Sequence, residues 1–189
     1  MRSTSYDFFD TLTLSVRGTG GRAVTQLREM YDHFEVPSVD DPDVVCELTT
    51  VEPDPEAVLG GPENYYGREG DAFVIRTPSG FLRTDTDLTR IQTSPNWEPF
   101  WTIYLVEFRI RQRLADRNRA LVHASGVELD GHTTLFPAWR GAGKTNTLLS
   151  LLRAGGDYLS DDRLWVGADG SVQGYPLSVN MQPYNLESF

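Results

Sequence analysis

Along residues 6–16, Phe8, Leu12, Leu14 and Val16 fall on one parity, the period-2 pattern of a strand with one buried face. The period changes over residues 21–33, where Val24, Leu27, Met30 and Tyr31 recur at helical spacing. Residues 43–51 and 72–77 return to strand character, and Pro78-Ser79-Gly80 turns the second of these back into residues 81–84 as a hairpin. Between them, residues 52–70 are rich in Pro, Gly and Glu and are expected to form a loop. The next long element covers residues 95–118, with Pro99 near its first turn. Phe100, Trp101, Ile103, Tyr104, Leu105, Val106, Phe108 and Ile110 crowd almost all round its first half, which predicts a buried helix. Its second half carries Arg109, Arg111, Arg113 and Arg117, with Arg119 just beyond, and reads as a solvated end suited to the helix dipole.

From residue 120 the order becomes strand, turn, strand, loop, helix, strand. Residues 120–129 and 133–136 flank an Asp130-Gly131 turn, residues 138–143 form the loop, and residues 144–153 form a helix closed by Gly155-Gly156. Residues 158–160 make a short strand that enters Asp161-Asp162, residues 163–166 continue it, and residues 168–171 read as a hairpin turn. No internal repeat interrupts this order.

Composition sets outer bounds. A chain of 189 residues supports one well-buried domain, or a compact domain preceded by a smaller one. No apolar run approaches the roughly 18 residues a membrane-spanning helix needs, and the first residues lack the basic, apolar and small-residue order of a signal peptide. A soluble cytoplasmic protein is expected, with no membrane partner. The single Cys46 lies in a strand-like run and reads as a small buried hydrophobe without chemistry.

Charge changes the picture more. The net value is −10, and of the 17 basic residues Lys144 alone is a lysine, the rest being arginines. Acidic, lysine-poor composition of this kind is expected of a protein kept soluble in high salt, so a halophilic source is anticipated. The sign of the charge argues against a nucleic-acid partner. One lysine retained in a glycine-rich loop also suggests a task arginine does not perform, such as acting as a compact point charge on phosphate.

That loop is Ala138-Trp139-Arg140-Gly141-Ala142-Gly143-Lys144-Thr145. It fits the strand–loop–helix phosphate motif except that alanine replaces the first glycine. Gly141 and Gly143 permit successive N–H groups to turn inward as an anion nest, and the helix that follows aims its positive end at phosphate. Lys144 would neutralise β- and γ-phosphate charge, and Thr145 would offer its hydroxyl to Mg²⁺. Asp161-Asp162 follows Lys144 by one helix, one turn and one strand. Adjacent carboxylates on an extended backbone point to opposite sides, so using both requires a bend there. One would serve Mg²⁺, and the other would accept a proton from an attacking hydroxyl. His123 lies on the strand entering the turn; His33 and His132 receive no role.

In order, Leu121-Val122-His123-Ala124-Ser125-Gly126-Val127, Gly141-Ala142-Gly143-Lys144-Thr145 and Leu159-Ser160-Asp161-Asp162-Arg163-Leu164-Trp165-Val166 resemble the catalytic domain of the HPr kinase/phosphorylase family. The resemblance covers residues 120–166 and, more loosely, the preceding helix. It implies a P-loop core related to that of phosphoenolpyruvate carboxykinases and a Mg-ATP-dependent serine kinase reaction, sometimes run backward as phosphorolysis. By position, residues 138–145 would hold ATP, Thr145 and Asp161 the metal, and Asp162 or its neighbour the base, with His123 as an active-site support. Ala138, Trp139 and Arg140 replace the family's small Gly-x-Ser opening, and two bulky side chains there would narrow or cap the site. The family's domain continues well past its acidic pair, whereas this chain ends at Phe189, so a C-terminal truncation is expected. Glu187 falls about where the family has a second acidic residue, but the Arg-Gly that normally follows is absent.

The expected fold class is therefore α/β in the mixed-sheet, α+β sense. A mixed α/β region is expected over residues 1–94 and a P-loop nucleotide-binding region over residues 95–189, compatible with one continuous domain. The expected function is ATP-dependent phosphoryl transfer to a hydroxyl of a protein or small molecule. The alternative is a regulatory module that binds ATP without catalysis. No motif names the acceptor or fixes the oligomeric state, with which an oligomer is compatible.

Overall fold

The stretch 6–16, expected as one strand, is a hairpin. Strands β1 (Ser3–Asp7) and β2 (Thr13–Arg17) pair antiparallel, and between them Phe9 and Asp10 adopt left-handed φ values of 55° and 54°. Asp7 fixes the turn, its Oδ1 accepting the Asp10 N–H at 2.8 Å. Phe8, Leu12, Leu14 and Val16 are nevertheless all buried, because the turn preserves their parity.

The computed structural model describes residues 2–139 and 141–175 and divides into two compact units, Met1–Arg113 and Leu114–Phe189. Helix α1 (Arg22–Met30) follows the hairpin, then a 3-10 turn, Asp32–Phe34. After these come β3 (Glu35–Val36), β4 (Val44–Leu48), β5 (Ala57–Gly60), β6 (Tyr65–Glu69), β7 (Ala72–Thr77), β8 (Gly80–Thr84) and β9 (Arg90–Thr93). They build a nine-stranded mixed sheet in the order β3-β1-β2-β4-β9-β8-β7-β6-β5. Its β2, β4 and β9 run parallel, and β9 back to β5 is an antiparallel meander. Ala23, Val24 and Leu27 of α1 are buried, and the Phe8 ring meets Tyr31 edge-on at 4.9 Å.

Two expectations for this unit are corrected. Residues 52–70 are not all loop, since β5 and β6 extend the sheet to its edge. These strands gain backbone hydrogen bonds but bury little, so no hydrophobic period marks them in the sequence. Helix α2 (Pro99–Ala115) is one-sided rather than buried all round. Thr102, Val106, Ile110 and Leu114 line the buried face at four-residue spacing, while Phe100, Tyr104 and Phe108 stand exposed. Phase, not the number of apolar residues, decides the buried face. Arg113, expected at a solvated end, pairs with Asp43 at 2.6 Å.

The second unit contains β10 (Arg119–His123), β11 (Ser125–Leu129), β12 (His132–Phe136), α3 (Lys144–Arg153), β13 (Asp157–Ser160), β14 (Arg163–Gly167) and β15 (Val172–Gly174). They form two three-stranded sheets, β10-β14-β15 and β12-β11-β13. Stretches 120–129 and 158–166, each expected as one continuous run, are both interrupted, at Ala124 and at Asp161-Asp162, and each contributes a strand to both sheets. Strands β12 and β13 are both antiparallel to β11 and so parallel to each other, with α3 crossing between them and packing on β11. The Asp130-Gly131 turn has left-handed φ values of 52° and 72°. The described residues are mixed α/β, with one large mixed sheet and three α-helices among them. No helix among the described residues is long and apolar enough to cross a membrane. Arg140 and Glu187 lie outside the described residues.

Candidate functional site

The two strand breaks of the second unit lie side by side. His123 pairs with Arg163 in one sheet, Gly126 pairs with Ser160 in the other, and the residues between leave the ladders. Across this gap the Ala124 N–H donates to the Asp162 carbonyl at 3.1 Å, and the Ser125 hydroxyl donates to the Asp161 carbonyl at 2.8 Å. The bend that two adjacent carboxylates require is thus built by both chains changing sheets at one level. It presents His123, Asp161 and Asp162 beside the loop that leads into α3.

The loop has the conformation its glycines permit. Ala142 N–H closes a turn onto the Trp139 carbonyl at 3.2 Å, and Gly141 and Gly143 take φ values of 84° and 90°. Gly143, in the left-handed region, begins α3 at Lys144, and the N–H groups of a first helical turn have no intrahelical acceptor. Trp139 is 91% exposed.

Lys144 turns back from the helix. Its Nζ donates to the Ala138 carbonyl at 2.9 Å and lies 3.2 Å from His123 Nε2. An ammonium donates and never accepts, so this contact requires an unprotonated Nε2. The ring proton then sits on Nδ1, which is 3.0 Å from Asp162 Oδ1 and donates to it. Asp162 Oδ2 is held by the guanidinium of Arg163. The lone lysine and the second aspartate are thereby joined through the His123 ring, with one Nζ proton still undirected by these bonds.

Asp161 sits in a different environment. It is 7% exposed, and Thr145 Oγ1 lies 3.1 Å from each of its carboxylate oxygens, with Ser125 Oγ 3.1 Å from Oδ1. No cationic side chain among the described residues pairs with it. A buried carboxylate supported only by hydroxyls is costly, and a hard cation offsets that cost. The hydroxyl and carboxylate oxygens of Thr145 and Asp161 are the donor types Mg²⁺ accepts, the remaining positions being left to phosphate and water. The residues present therefore fit Mg²⁺. They do not make a metal cage of their own, since no group of three His, Cys, Asp or Glu side chains able to hold an ion exists among the described residues.

Several site residues carried no expectation of a role. Ser125 and Ser160 are fully buried, and Ser160 Oγ donates to the Tyr175 carbonyl at 2.9 Å while accepting from the N–H groups of Asp162 and Arg163. The Tyr158 hydroxyl accepts the Asp161 N–H at 3.1 Å, and burial pushes this phenol above its usual value. A serine beside each chemical residue, in His123-Ala124-Ser125 and in Ser160-Asp161-Asp162, was the available signal. Away from the site, His33 lies in the 3-10 turn, His132 is exposed on β12, and burial drives the Cys46 thiol up to about 12.

Compared with known proteins, the chain matches no family model, no curated protein and no solved structure.

Proposed function

We propose that the second unit binds Mg-ATP on the loop 138–145 and transfers the γ-phosphate to a hydroxyl of a protein serine or a small molecule, as the resemblance to HPr kinases implies. The supporting observation is the division between neighbouring carboxylates: Asp161 is buried and held by hydroxyls alone, while Asp162 is tied to His123 and Arg163. In this reading Gly141, Gly143 and the first turn of α3 cradle phosphate oxygens, and the free proton of Lys144 points to the β- and γ-phosphates. Thr145 and Asp161 would hold Mg²⁺, whose chemistry is to neutralise charge on the transferring phosphoryl group. Asp162, which keeps a lone pair beyond its two bonds, takes the proton of the attacking hydroxyl as its oxygen joins the γ-phosphorus and the bond to the β-phosphate oxygen breaks, releasing ADP. His123 holds Lys144 and Asp162 in register.

One observation favours the alternative of ATP binding without transfer. Both oxygens of Asp162 are already engaged, one of them by a guanidinium, which opposes a role as base. Thermal melts and a γ-phosphate assay separate the two readings. Mg-ATP is expected to raise the melting temperature of the wild type, and Lys144→Ala to abolish that rise. Asp162→Asn is expected to keep the rise and lose hydrolysis or transfer. A wild type with no ATP-dependent rise sinks both readings; one that binds yet never cleaves the γ-phosphate leaves the binding module.

A further inference from the structure

Ser125 is fully buried at the start of β11, and its one hydroxyl proton has two acceptors on the same residue, the Asp161 carbonyl at 2.8 Å and Asp161 Oδ1 at 3.1 Å. We propose that Ser125 is a positioning residue for the cation site, holding the Asp161 carboxylate in the rotamer that meets Thr145 and Mg²⁺. The proposal rests on the Mg-ATP reading above and extends it to a residue that touches neither nucleotide nor metal in that reading.

The reason lies in what each hydroxyl does when a cation arrives. Thr145 gives its one proton to Asp161 in the structure as it stands, and its two lone pairs remain to ligate a cation without loss of that bond. Of the two hydroxyls that donate to Asp161, Thr145 would then also be a cation ligand, and Ser125 would be the one whose whole task is to hold the carboxylate. The Ser125 proton rotates between Oδ1 and the carbonyl without any movement of Oγ, so the buried hydroxyl stays satisfied whether or not the carboxylate's lone pairs are drawn to the metal. Its carbonyl bond also pins the main chain where β13 ends. Groups that orient a ligating carboxylate in this way typically contribute about 10–100-fold to metal affinity.

Ser160 supplies the comparison that separates positioning from mere structure. It is equally buried on the same corner, but its bonds go to main-chain groups, namely the Tyr175 carbonyl and the N–H groups of Asp162 and Arg163. Removing it should loosen the corner without freeing the Asp161 carboxylate.

The experiment is calorimetric titration of ATP into the full chain, across a Mg²⁺ series and in EDTA, for wild type, Ser125→Ala and Ser160→Ala, with melting temperatures recorded alongside. Ser125→Ala is expected to raise the Mg²⁺ concentration for half-maximal tight binding by about tenfold or more while leaving the affinity in EDTA unchanged. Ser160→Ala is expected to lower the melting temperature and leave the Mg²⁺ dependence at the wild-type value. Should Ser125→Ala fail to fold, Ser125→Cys, similar in size but a weak donor, decides in the same way. A Mg²⁺-dependent wild type with an indifferent Ser125 variant overturns this proposal alone. A wild type whose ATP binding ignores Mg²⁺ overturns it together with the reading beneath it.

Discussion

Lys144 Nζ stands 3.2 Å from His123 Nε2, so the chain's one lysine is held by a side chain 21 residues earlier that cannot be doubly protonated while the contact lasts. With Asp162 at the far nitrogen, the imidazole is sorted into a single tautomer. Long-range ¹H–¹⁵N spectra of the folded protein near neutral pH are expected to show His123 protonated at Nδ1. A ring protonated at Nε2 would show that Lys144 does not donate to it.

Lys144→Arg is expected to behave nearly as Lys144→Ala. The planar guanidinium is larger and presents its donors as a fork, and it does not fit between the Ala138 carbonyl and His123 as an ammonium does. For wild type, nucleotide at roughly a hundredfold over Kd should stabilise the fold by about 2.7 kcal/mol. Retention of most of that stabilisation in the arginine variant, read from melting curves, would refute a specific need for lysine.

Asp43 links stability to acid. Burial alone would raise its carboxyl, but the Thr13 N–H at 2.9 Å, the Thr13 hydroxyl at 3.0 Å and Arg113 at 2.6 Å outweigh it and hold the group below the usual carboxylate value. The unfolded chain then takes up the proton more readily than the native one. The contribution is complete above an ordinary carboxyl pKa of about 4 and is lost as pH falls through the lower native value. The difference in melting temperature between wild type and Asp43→Asn should therefore shrink from pH 5 to pH 2, both approximate bounds of the carboxylate range. A constant difference would mean the Asp43 contacts do not depend on its charge.

The net charge of −10 predicts a marked response to salt. Melting temperature is expected to rise with KCl and to keep rising beyond ~1 M, where the Debye length is already about 3 Å and screening is nearly complete. A rise confined to lower salt would be screening alone and would remove the halophilic expectation.

The loop and helix were legible in the sequence because their determinants are local. Gly141 and Gly143 supply left-handed backbone, Lys144 opens α3, and the helix ends at Arg153 before Gly155-Gly156, as their spacing predicts. The Asp130-Gly131 and Asp169-Gly170 turns were legible for the same reason. The exposed strands β5 and β6 were not, because edge pairing of β6 with β7 and of β5 with β6 forms them and leaves no hydrophobic period. Nor was the exposed side of α2, where eight apolar positions set no single face and only tertiary packing buries Val106 and Ile110.

By itself, the sequence determined the order along the chain of a histidine, a phosphate-type loop and an acidic pair, since residue chemistry and short-range spacing need no tertiary partner. The tertiary structure alone decided that the strands carrying His123 and Asp161-Asp162 both break at one level and change sheets there. That shared break carries His123 to Lys144, Ser125 to Asp161 and Arg163 to Asp162. These contacts between distant stretches arise from strand register and a common corner, and no local pattern encodes them.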